Sequence, residues 1–174
     1  MSKVFYINND TDIVSSGGVL LYRFINGEME LLLSDTRGLY EDLGGKVDDN
    51  DKNINSSISR EVHEESNGLI DKKSIKARLL KNNPIYIKKS KYLLYILHAT
   101  PKERTLKSED FGNKEIHDDI NRTIKWIPLD IFLSQKIIKH RLNWRLKNKK
   151  IFDALKEIKI KSQLSKNVFI KKIE

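Results

Sequence analysis

Apolar residues fall in short runs along most of this chain and take a helical spacing in two places. Phe5 to Ile7, Gly18 to Phe24 and Met29 to Ser34 read as strands. Asn26-Gly27 between the last two is a hairpin signal, because both residues tolerate the left-handed backbone that a two-residue turn needs. Pro84 to Lys88 and Lys91 to Thr100 read as a second hairpin, and Thr123 to Ile127 as a further strand closed by Pro128. Ile54, Ile58 and Val62 recur every four residues, which predicts an amphipathic helix from Asn53 to about Asn67, ended by Gly68. Ile151, Leu155 and Ile158 predict another from Asn148 to Lys159. Strands on both sides of a central helix imply a mixed α+β fold. No repeat or Pro-rich linker divides the chain, so one domain is expected over residues 1–160, with 161–174 a basic extension of it.

Composition narrows the function classes. The 174 residues suffice for one domain with a sizeable core. The longest apolar run, Tyr92 to Leu97, is far too short to span a bilayer. Met1-Ser2-Lys3-Val4-Phe5 lacks the basic-then-apolar layout of a signal peptide, so a cytoplasmic protein with no membrane partner is expected. The absence of cysteine excludes disulfides, thiolate chemistry and zinc-thiolate sites. The formal charge of +9 is unevenly placed. Residues 136–174 hold thirteen Lys/Arg against three Asp/Glu, net +10, whereas residues 1–135 are near neutral at −1. Such a tail serves either as a solubilising face or as an attraction for phosphate-rich ligands such as RNA.

The chemistry concentrates between Gly44-Gly45-Lys46 and Ser66-Asn67-Gly68-Leu69. On a helix, Glu61, Glu64 and Glu65 are related as i, i+3 and i+4, so their carboxylates project from one side while Ile54, Ile58 and Val62 face the core. Three like charges that close repel, and a hard divalent cation with oxygen ligands relieves the repulsion. The paired glycines let backbone approach closely and free a carbonyl. Arg60, four residues before Glu64, is placed to pin a carboxylate with its forked guanidinium. Other motifs fail: a phosphate-binding P-loop needs Gly at 40 and Ser or Thr at 47, where this chain has Tyr40 and Val47. There is no Gly-x-Ser-x-Gly elbow, and His63, His98, His117 and His140 are too dispersed for a zinc site. His63 reads as an ordinary exposed residue.

Together these residues resemble the Nudix box of the Nudix hydrolases. Gly45 falls on its first glycine, Arg60, Glu61, Val62, Glu64 and Glu65 on its Arg-Glu core, and Gly68 and Leu69 on its ending. Asp51 stands where the family has its first Glu, with one extra residue before Arg60, and a second extra residue lies between Glu65 and Gly68. The first departure is expected to weaken an Asp51–Arg60 salt bridge. Tyr40 and Lys125-Trp126-Ile127-Pro128-Leu129 also follow the family layout, and the resemblance covers roughly residues 16–160.

The resemblance implies an α/β/α sandwich with a mixed sheet and a central catalytic helix, and hydrolysis of a pyrophosphate linkage in a nucleoside diphosphate-linked substrate with Mg²⁺ or Mn²⁺. Glu61, Glu64, Glu65 and the Gly45 carbonyl are the implied metal ligands, and Arg60 and Glu115 complete the implied catalytic set, with Glu115 the leading candidate for the base. Lys46, Arg141 and Arg145 are candidates for gripping the substrate's phosphates. The substrate class stays open: capped mRNA or a dinucleoside polyphosphate is the main expectation. An inositol pyrophosphate, or a Nudix-fold module that binds RNA without catalysis, are the alternatives. Trp144, between Arg141 and Arg145, is read as core first and as a base-stacking residue second.

Overall fold

The computed structural model describes residues 3–116, 121–134 and 141–170, with side chains to 165. The first expected hairpin forms from β3 (Ser16–Ile25) and β4 (Glu28–Thr36). Asn26 and Gly27 both take positive φ, 50° and 89°, which matches the right-handed twist of the strands they join. Ahead of them lies a small ribbon of β1 (Phe5–Ile7) and β2 (Asp12–Val14). After β4 come two short strands that the hydrophobic pattern did not predict, β5 (Leu39–Glu41) and β6 (Leu43–Lys46). The second hairpin joins β7 (Ile85–Ile87) to β8 (Tyr92–His98), and β9 (Arg122–Pro128) ends at the expected proline.

These strands make a mixed sheet that divides. Residues 21–25 of β3 pair with β4, whereas residues 16–19 of the same strand pair with β6. The far end of β4 instead pairs with β5, and its other edge takes β9. Among the described strands, β8 alone runs parallel to its neighbour, β3. Asp42, between β5 and β6, therefore sits where the chain crosses from one branch of the sheet to the other.

Alternation along the strands builds two cores. Val19, Leu21, Leu32 and Leu43 meet Ile58 and Val62 of helix α1 (Ile54–Glu65) and Ile75 and Leu79 of helix α2 (Lys72–Leu79). On the opposite face, Leu20, Leu31 and Leu33 meet Phe132 of α4 (Leu129–Leu133) and Ile151 and Leu155 of α5 (Lys149–Ile170). A short helix α3 (Pro101–Arg104) follows β8. The fold is thus mixed α+β with helices on both faces of the sheet, as expected. Helix α5 runs on without a break through residue 160, so the expected division between domain and extension falls inside one helix. No helix among the described residues is long and apolar enough to cross a membrane.

Candidate active site

Helix α1 begins at Asn53, whose side chain accepts from the Ser56 N–H at 2.9 Å and satisfies one of the unpaired amides of the first turn. It ends at Glu65, with Asn67 and Gly68 both at positive φ. The Gly68 N–H donates to the His63 carbonyl at 2.8 Å, so the residue inserted after the glutamates is absorbed beyond the helix. His63 is half-buried rather than exposed, and its Nδ1 lies 2.9 Å from the Ile70 carbonyl, tying the chain that leaves the helix back to its last turn.

The expected side-by-side display of Glu61, Glu64 and Glu65 is divided by their partners. Arg60 lies 2.9 Å from Glu61 Oε1, donates to Glu64 Oε2 at 2.9 Å, and reaches the Lys46 carbonyl at 3.1 Å. The same guanidinium makes two hydrogen bonds to Asp51, at 3.2 and 3.0 Å. The expected weakening of this bridge does not occur. A tight turn takes up the extra residue: the Asp51 N–H donates to the Asp48 carbonyl at 3.0 Å, and the Asp48 N–H returns a bond to Asp51 Oδ2 at 2.8 Å. Burial opposes ionisation of Asp51, but hydrogen bonds from Arg60, the Asp48 N–H and Ser57 outweigh it and hold the carboxyl below its ordinary value.

Glu65 points the other way, toward the sheet, where the Gly44 N–H donates to its Oε2 at 2.8 Å. The glycine pair lies on β6 rather than in a loop, and each glycine is needed for close approach. A methyl group on Gly45 would collide with the Glu61 carboxylate, and one on Gly44 with the backbone of Gly17 and Gly18. Burial pushes the Glu65 carboxyl well above the usual range, and the charges of Glu115, Asp42 and Glu61 add to the shift against the opposing Gly44 hydrogen bond. Glu61 is raised too, first by burial and, against Arg60, by Glu64 and Glu115. The loop carrying Glu115 therefore does approach the helix carboxylates. Buried Arg122 of β9 holds that loop by donating to the carbonyls of Phe111, Gly112 and Lys114.

No model of a protein family and no curated protein matches this chain. Solved structures do. A C. elegans Ap4A hydrolase in a binary complex is 19% identical, with 87% of this chain and 98% of that one covered and a TM-score of 0.45. A second structure described as C. elegans Ap4A hydrolase is 21% identical over the same shares, with a TM-score of 0.43. A MutT/Nudix family protein from Enterococcus faecalis is 15% identical over 66% of this chain and 44% of that one, with a TM-score of 0.42. The solved structures similar to this chain thus include Nudix proteins.

The oxygen chemistry of the site fits a hard divalent cation: Glu61, Glu64, Glu65 and Glu115 bring excess negative charge beside a strand trimmed to glycine. Among the described residues, however, no three acidic or histidine side chains converge closely enough to hold an ion, because Arg60 draws Glu61 and Glu64 toward itself.

The expected phosphate-gripping residues differ in their fates. Lys46 is exposed next to the glycines. Arg141 is half-exposed but donates to Asp35 at 2.6 Å and the Gly38 carbonyl at 3.2 Å, with Tyr40 beneath it. Arg145 is committed elsewhere: it donates to Asp42 at 3.0 Å, lies 3.4 Å from Glu41 and stacks over Tyr92. Buried Asp42 and partly exposed Glu41 neutralise it. Trp144 is not core but 52% exposed, with Lys89 5.4 Å from its ring centre. His117, His140 and the Lys136 end of the basic segment lie outside the described residues. The sequence reading missed Asp42, Tyr92 and Arg122, since one acid before a glycine pair, one tyrosine in an apolar run and one arginine at a strand start carry no pattern.

Proposed function

We propose that this chain is a Nudix-type hydrolase that cleaves a pyrophosphate bond in a nucleoside diphosphate-linked substrate with Mg²⁺ or Mn²⁺. The observation that carries this reading is the placing of two helix glutamates against the Gly44-Gly45 strand: Glu65 accepts from the Gly44 N–H, the Glu61 carboxylate lies where a Gly45 side chain would be, and burial with the charge of Glu115 holds both carboxyls above their ordinary range. Excess buried negative charge of this kind calls for a cation.

Glu61, Glu64, Glu65 and the Gly45 carbonyl would hold it, with Glu61 and Glu64 turning from Arg60 to do so. A cation held there would supply charge neutralisation for the pyrophosphate oxygens and acidify a water for attack on phosphorus. Glu115, on the loop that reaches the helix carboxylates, would accept the proton from the attacking water. Arg60 keeps the helix side chains in reach through Asp51, and Lys46 faces solvent where it can meet a phosphate.

Exposure of Trp144 beside Lys89 favours a substrate that carries a nucleobase, capped RNA or a dinucleoside polyphosphate, since an exposed indole beside a cation offers a stacking surface to a base. Inositol pyrophosphates have no base to stack. A hydrolysis screen of capped RNA, dinucleoside polyphosphates, ADP-ribose and inositol pyrophosphates with each metal tests the reading. Binding of RNA without turnover on any of them would favour the non-catalytic module.

A further inference from the structure

Residues 141–147 approach the branch of the sheet from the face opposite α1. The Tyr40 N–H donates to the Arg141 carbonyl at 2.6 Å and the Asn143 N–H to the Tyr40 carbonyl at 2.9 Å, so this segment pairs with β5 for a short distance. Its odd-numbered side chains then meet acids in turn. Arg141 takes Asp35, Asn143 donates to Glu41 at 2.6 Å, and Arg145 takes Asp42.

The third of these pairs reaches deepest. The Asp42 side chain has no solvent exposure, and its two oxygens are divided between Arg145 Nε at 3.0 Å and the Tyr92 hydroxyl at 2.6 Å. The Arg145 guanidinium also lies 4.6 Å from the centre of the Tyr92 ring. A buried carboxylate is tolerated when it is both paired and hydrogen-bonded, and each of these partners does one part.

This group presses on the glycine strand. A side-chain carbon on Gly18 would collide with both the Tyr92 hydroxyl and Asp42, and one on Gly44 would also meet that hydroxyl. The Tyr92 hydroxyl thus lies in the space that a Gly44 side chain would take, packed against the same glycine whose N–H donates to Glu65. Moving Asp42 or Tyr92 would shift the amide that fixes Glu65.

We propose that Arg145 is a positioning residue for the glutamate site: through Asp42 and the Tyr92 hydroxyl it sets the place of Gly44, and so of Glu65. This rests on the reading of that site as a cation site. Arg145 touches none of the reacting atoms. It acts from the far face of the sheet, and the segment on which it sits is part of the active-site framework rather than a tail.

The test uses the 174-residue chain with Tyr92→Phe, which deletes one hydroxyl and keeps the ring under Arg145, and Arg145→Lys, which keeps a charge but loses the fork. Two readouts are taken without substrate: hydrogen exchange of the Gly44 amide by NMR in metal-free buffer, and Mn²⁺ binding by calorimetry. Both variants should speed Gly44 exchange roughly tenfold, with Leu32 of β4 unchanged, and weaken Mn²⁺ binding by about 10–100-fold, as removal of the groups that support metal ligands does. Should Arg145→Lys fail to fold, Tyr92→Phe decides alone. Gly44 exchange and Mn²⁺ affinity both within twofold of the parent in folded Tyr92→Phe would overturn the proposal. A parent that binds no Mn²⁺ would overturn the cation reading instead, and the proposal with it as far as the metal is concerned, while Gly44 exchange would still report whether the clamp exists.

Discussion

The Gly44 N–H donates to Glu65 Oε2 across 2.8 Å, joining the glycine strand to the helix that carries the other site glutamates. Two neighbouring glycines in this strand should respond differently to the same change. Gly44→Ala drives a methyl into backbone of Gly17 and Gly18, which cannot yield cheaply, and should cost about 3 kcal/mol of stability or more. Gly45→Ala first meets the end of the Glu61 side chain. That side chain can swing away, so the protein should fold with a small decrease in stability in urea unfolding but with hydrolysis reduced at least tenfold.

Glu65→Gln keeps an oxygen for the Gly44 amide and removes the charge. Turnover should fall by two decades or more, about 3 kcal/mol of transition-state stabilisation, with folding intact by circular dichroism. Because the buried carboxyl is costly to ionise without a cation, the variant should be as stable as the parent in metal-free buffer or slightly more so.

Asp51→Asn should lower stability by about 1–3 kcal/mol, since the Nε and Nη2 side of the Arg60 fork then faces a neutral partner in a mostly buried place while Glu61 and Glu64 hold only Nη1. The pH dependence follows from the depressed Asp51 carboxyl. Its contribution is present in full above the ordinary, unfolded-state value and disappears as pH falls through the lower folded-state value. Acid unfolding of the parent should therefore show a limb in that window that Asp51→Asn lacks.

Mg²⁺ or Mn²⁺ should raise the melting temperature. At a hundredfold excess over the dissociation constant the gain is about 2.7 kcal/mol, or roughly 5–10 °C for a chain of this size. Glu64→Gln should flatten the response, measured against a chelator control.

If capped RNA runs over Trp144, Trp144→Ala should weaken its binding severalfold and leave a short dinucleotide unaffected, as read by fluorescence anisotropy. Neutralising Lys147, Lys149 and Lys150 should in addition flatten the dependence of log affinity on log salt, by slightly less than one unit for each RNA phosphate that the variant no longer neutralises.

The parts of this fold that were legible in the sequence are those where one period dominates. Helix α1 was visible because Ile58 and Val62 are core residues at helical spacing, and the first hairpin because Asn26-Gly27 can turn only one way at low cost. Strand β6 was not, since Gly44 and Gly45 have no side chains to alternate and are placed by what they make room for. Helix α2 was hidden because only Ile75 and Leu79 mark its buried face among charged neighbours. The glutamates of the site were legible as spacing, but not their division by Arg60, which follows from the turn at Asp48 to Asp51. The exposure of Trp144 and the pairing of Arg145 were not legible for a common reason: which of two adjacent residues is buried depends on the acids of β5 and Asp42, about a hundred residues away.

The most direct measurement is product analysis of pyrophosphate substrates incubated with parent and Glu65→Gln protein across a titration of Mg²⁺ and Mn²⁺. A metal-dependent pyrophosphohydrolase at these glutamates predicts cleavage by the parent that rises with either ion, stops with chelator, and drops at least a hundredfold in the variant. Cleavage that is indifferent to metal, or equal in parent and variant, would contradict it.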